Sequence, residues 1–75
     1  MNSLKEISSP IRLFLSLKKS ELSQNTQDKV HRTLLNIAKE KGREAREQMA
    51  DKLAIIIENG VSETELIKIL NSIEN

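Results

Sequence analysis

The scarcity of helix breakers constrains this chain most. After Pro10 it has no proline, and its 75 residues include only two glycines, Gly42 and Gly60. Those two residue types punctuate a chain most strongly. Where they are missing and apolar residues recur three and four positions apart, helices are the available structure. Leu and Ile supply nearly all the apolar mass; there is one Phe and no Trp or Tyr, and 31% of residues are charged. This composition points to an all-α protein with coiled-coil character.

Residues 3–8 read as a short helix, with Ser3 and Glu6 spaced as a capping box. Leu4, Ile7 and Ile11 continue one stripe. A second short helix starts where Ser9 can cap and Pro10 suits the first helical position. Its Ile11, Phe14 and Leu15 share a face that Leu13 and Leu17 widen, and Lys18 and Lys19 sit where the helix dipole favours cations. A helix apolar on so many sides, about three turns long, needs cover from something larger. "SQNTQ", residues 23–27, is a connection and the start of the next helix.

From about Gln24 to Asn59 only Gly42 interrupts the pattern. Val30, Leu34, Ile37, Ala45, Met49, Leu53, Ile56 and Ile57 recur at helical spacing, which predicts a helix about 50 Å long. Its middle, "AKEKGREAREQ", is polar, and Glu40 with Arg43 and Arg43 with Glu47 can pair along it. Gly60 suits a left-handed helix end, and Val61 can pack back on the preceding turn. Ser62 and Glu65 form a second capping box before Leu66, Ile67, Ile69, Leu70 and Ile73.

A long helix with two apolar ends cannot be covered by short helices of its own chain. Either it breaks near Gly42 and folds into a bundle, or other chains cover it. Gly within a helix costs about 1 kcal/mol against Ala, which alone need not break it. The expected fold is therefore all-α, with short N-terminal helices, one long central helix and a short C-terminal helix, assembling as a partly coiled-coil oligomer, at least a dimer. Residues 1–40 would form a first association site, 41–48 a polar waist and 49–75 a second association site. Residues 1–49 carry ten Lys/Arg and six Asp/Glu, and 50–75 carry two Lys and five Asp/Glu. The two halves can attract each other, within a chain or between chains.

Several chemistries are disfavoured. With no cysteine, disulfides and Cys-based metal sites are excluded, and a reducing compartment suits the chain. His31 is the single imidazole; of its helical neighbours only Asp28 is a metal ligand type, so no metal site is expected. No Ser–His–acid arrangement can be read, the carboxylates lie beside Lys and Arg, and the glycines are isolated. No enzyme activity and no cofactor are expected. "LAIIIENGVSETELIKIL" resembles a helix-turn-helix, but Ile56 is bulky where the motif needs a small residue. Its second helix offers only Lys68 to DNA while Glu63 and Glu65 would repel phosphate. No segment approaches the roughly 20 apolar residues of a membrane span. Residues 10–20 have the makings of a membrane-surface helix, but packing against the long helix is the preferred reading.

The order of "PIRLFL", a polar connection, a helix with a charged middle, and "LAIIIENGVSETELIKIL" resembles the oligomerisation region of the histone-like nucleoid-structuring (H-NS) family. Ile11-Arg12 match its early Ile-Arg pair, Asn59-Gly60-Val61 stand where it has Asp-Gly-Ile, and Glu65-Leu66 fit the acid-leucine that follows. The resemblance spans about residues 4–70. The family's middle is more acidic, its apolar ends are farther apart, and the sequence here ends at Asn75 without a linker or DNA-binding domain. The resemblance implies a first interface of Ile7, Ile11, Phe14, Leu15, Val30, Leu34 and Ile37. It implies a second of Leu53, Ile56, Ile57, Val61, Leu66 and Leu70. The function it implies is co-assembly with a full-length nucleoid-structuring protein in the cytoplasm, at the nucleoid. Such a subunit fills an association site, adds no DNA contact and modulates silencing. The alternative is a small helical antitoxin or toxin-inhibiting module.

Overall fold

Helix α1, Ser9–Lys19, has its two lysines in the last turn, as the dipole favours. The structure, a computed structural model, describes residues 9–74 and the side chains of 11–73. The helix expected over residues 3–8, with Leu4 and Ile7, lies outside the described residues. Helix α2 is Gln24–Lys41, capped by Ser23, whose side chain accepts from the Thr26 N–H. Helix α3 is Arg43–Glu58 and α4 is Glu63–Glu74. All described regular structure is helical.

The long helix expected from Gln24 to Asn59 is two helices. Gly42 separates them at φ 96°, ψ 174°, a region that is essentially reserved for glycine. Its N–H still reaches the Ala38 carbonyl and its own carbonyl accepts from Arg46, so the helical ladder runs up to the break on both sides. What the break removes is the helical acceptors of the amides of Arg43, Glu44 and Ala45, which become the first residues of α3. These residues reach solvent, so the loss is about 1 kcal/mol each. In return α2 and α3 fold back on each other, and Val30, Leu34, Leu53 and Ile57 enter one core. Burying a side chain of that size contributes about 1.5–3 kcal/mol each. Burial outweighs three solvated hydrogen bonds, which is why the break wins. The longest dimension of the molecule, 39 Å, is shorter than the unbroken helix would be, about 50 Å.

The core is built around α3. Ala50, Leu53, Ala54 and Ile57 are its buried residues; the two alanines let neighbours approach closely. Leu13 and Leu17 come from α1, Val30 and Leu34 from α2, and Leu66 and Leu70 from α4. Helices α1 and α2 both pack on α3, and α4 packs on α2. Gly60, at φ 93°, ends α3 as expected. Ser62 accepts from the Glu65 N–H at 3.2 Å, the donor half of the expected capping box.

Candidate protein-docking surface

The buried side of α1 carries Leu13, Ser16 and Leu17. At 100° per residue this leaves Ile11, Leu15 and Lys18 on the opposite side and Phe14 on the flank. Ile11 is 54% exposed, Phe14 45% and Leu15 49%; on α2, Leu35 is 54% exposed. A helix apolar on both sides is thus covered on only one. The Phe14 and His31 rings lie 5.6 Å apart at 53°, and the Lys18 ammonium stands 5.2 Å from the Phe14 centroid. Leu35 follows His31 by one turn. The backbones of α1 and α2 approach each other less closely than either approaches α3. Phe14 and His31 therefore meet where α1 and α2 lie side by side, while Ile11, Leu15 and Leu35 stand on the outer faces of the two helices.

Arg12 ties α1 to α3. Its Nε and Nη2 donate to the two Glu58 oxygens at 3.0 and 2.9 Å, and Nη1 donates to Asp51 at 3.1 Å. The Ser16 hydroxyl also lies 3.0 Å from Glu58. The Arg12 and Ser16 donors hold the Glu58 carboxyl below its ordinary range, and Glu58 in turn pushes the Arg12 guanidinium up. A second polar tie joins α4 to α2. The Ser23 and Thr26 hydroxyls donate to the Glu63 carboxylate, and these two bonds lower its pKa. Glu63 thereby places a negative charge at the N-terminus of α2, where the dipole favours it.

The proposed interface residues separate into two groups. In the first set, Ile11, Phe14 and Leu15 are exposed, Ile37 is half-buried, and Val30 and Leu34 are in the core. Ile7 lies outside the described residues. In the second set, Leu53, Ile57, Leu66 and Leu70 are buried in the core, with Ile56 and Val61 packed against it. The structure brings most of the two sets together within one chain. Leu35 had no place in the sequence reading because it stands off the main stripe of α2. The acceptors of Arg12 lie 39 and 46 positions away; the charge asymmetry between the halves was the one sequence signal for that contact.

A cleft of about 450 Å³ lies between α2 and α3 next to Gly42, lined in part by Ile37, Met49, Ile73, Glu40, Lys41 and Lys52. Its charges are of both signs and no acid–base pair converges in it. Among the described residues no group of His, Cys, Asp and Glu is placed to hold a metal ion, and no helix is long and apolar enough to cross a membrane. Comparison with protein families, curated proteins and solved structures finds no match to this chain.

Proposed function

We propose that the chain is a small helical interaction module that binds another protein through the outer face of α1 and the adjoining face of α2. The observation that carries this reading is the exposed apolar set Ile11, Phe14 and Leu15, on a helix whose other side is already in the core, with Leu35 exposed on the neighbouring α2. Exposed apolar patches of this kind mark interaction sites. In its specific form, the partner is a full-length nucleoid-structuring protein in the cytoplasm, and filling its association site modulates silencing. Ile11-Arg12 and the turn at Asn59-Gly60-Val61 support that form, and only the first association site takes part in it. The second set of residues is needed for the fold of the single chain.

The test is capture with cross-linking from cells, using the wild-type chain and a Leu15→Glu/Leu35→Glu variant. Capture of a nucleoid-structuring protein that is lost in the variant, together with relief of silencing by excess wild-type chain, is the expected result. Capture that is indifferent to the two substitutions would remove the assigned surface. The antitoxin-type reading predicts instead that the captured partner is a toxic enzyme whose activity the chain inhibits.

A further inference from the structure

The turn between α3 and α4 holds a chemical hazard that the fold restrains. Asn59 and Gly60 are adjacent and exposed, and no other asparagine of the chain precedes a glycine. In such a pair the Gly60 amide nitrogen, once deprotonated, can attack the Asn59 side-chain carbonyl carbon. A C–N bond forms, and the side-chain amide leaves with a proton as ammonia. The result is a five-membered succinimide; a glycine has no side chain to shield the attacking nitrogen. Water then opens either carbonyl of the ring. One product is aspartate. The other is isoaspartate, whose main chain runs through the side-chain methylene and is one atom longer. Folding sets three obstacles against the first step. The Gly60 N–H donates to the Ile57 carbonyl at 3.1 Å, which holds the proton. Asn59 stands at φ −80°, ψ −7°, which turns the Gly60 nitrogen away from the side-chain carbon, whereas ring closure needs that nitrogen to eclipse Cβ. The last turn of α3 is itself tied down through Glu58, which accepts from Arg12 and Ser16 of α1.

We propose that, among the described residues, Asn59 is the site of spontaneous deamidation, and that the contact between α1 and the end of α3 controls its rate. The succinimide closes only in molecules whose α3 end has opened, and terminal turns open far more cheaply than whole domains unfold. The products have two consequences. The added carboxylate stands beside Glu58 at the C-terminal end of α3, where the dipole disfavours negative charge. The isoaspartyl form also lengthens the short connection that places Val61 against the core and Ser62 at the head of α4, so α4 loses its register on α2. The proposal is independent of the docking surface.

The test is incubation of the purified full chain in mildly alkaline buffer, followed by peptide mass spectrometry, with isoaspartyl methyltransferase marking the isomer. Asn59 should lose its amide before Asn25, Asn36 and Asn71, and several times faster in urea than in the folded chain. Arg12→Gln, with its helix content checked by circular dichroism, separates two causes. A loosened α3 end speeds the loss, whereas removing a nearby positive charge, acting alone, makes the Gly60 nitrogen harder to deprotonate and slows it. High salt, which screens the same contact without a substitution, should also speed it. Isoaspartyl chains isolated by ion exchange should melt several degrees below Asn59→Asp, which carries the charge without the longer main chain. Earlier loss at another of those asparagines overturns the site. Equal rates in urea and in buffer overturn the gating by opening. A rate that neither Arg12→Gln nor salt raises overturns the control by α1. A melting point equal to that of Asn59→Asp overturns the effect on α4.

Discussion

Arg12 shows how much one side chain can organise in a domain this small. It bridges two turns of α3 and adds a polar tie beside the buried Leu13 and Leu17, whose packing sets which side of α1 faces inward. Its strength depends on Glu58 being ionised. A carboxyl whose pKa is depressed by folding stabilises the fold above its unfolded value and loses that contribution as pH falls through the folded one. Thermal melts should therefore show the wild type losing stability as pH drops below the ordinary glutamate range, about 4.3. Glu58→Gln should be less stable at neutral pH and flatter across that window; an identical profile would mean that the contact does not hold in solution. At this scale the caps were legible. Ser62 and Gly60 act within four residues of themselves, and local spacing determines them; the Ser23 cap of α2 falls in the stretch read only as a connection and helix start. The acceptors of Arg12 were not legible, because a hydrogen bond across 46 positions leaves no local trace.

At the scale of elements, the four described helices are visible in the apolar spacing except at one point. By local spacing Gly42 reads as a tolerated helical glycine, because its intrinsic cost is small and no proline stands beside it. Helix propensity is a local quantity, and the decision was made by the core that the two halves form across the break. That makes Gly42 a sensitive position. A Cβ there would meet nothing within 4 Å, so Gly42→Ala causes no clash. Its effect is on the backbone: about 1–3 kcal/mol of strain at positive φ, and about 1 kcal/mol gained by a helical conformation. Both favour the straightened helix. A straight α2–α3 rod exposes its core, and two copies can cover one another by exchanging halves. Sedimentation should find the wild type monomeric and Gly42→Ala shifted towards a dimer as concentration rises. A variant that stays monomeric and merely melts earlier would show that the straightened form is too costly to reach.

For the whole molecule, the apolar pattern correctly marked Leu53, Ile57, Leu66 and Leu70 as residues that must be covered. It did not reveal what covers them. Periodicity identifies a face that avoids water, and that information is the same whether the cover comes from this chain or another. The distinction has a measurable result. If these residues were an interface, their truncation would dissociate an oligomer and leave a folded subunit. As core residues that are fully buried, Leu53→Ala or Leu66→Ala should each cost about 2–5 kcal/mol. A domain of this size has little margin to absorb that, so far-ultraviolet circular dichroism should show loss of helix at moderate temperature. A fully helical variant with unchanged midpoint would return these residues to an interface.

The Arg12 contact is exposed, so dissolved ions reach it freely. The helix it ties down is the one on which Ile11, Phe14 and Leu15 are exposed. Added electrolyte screens this pair, so the tie beneath the proposed docking face is strongest in dilute buffer and fades as salt rises.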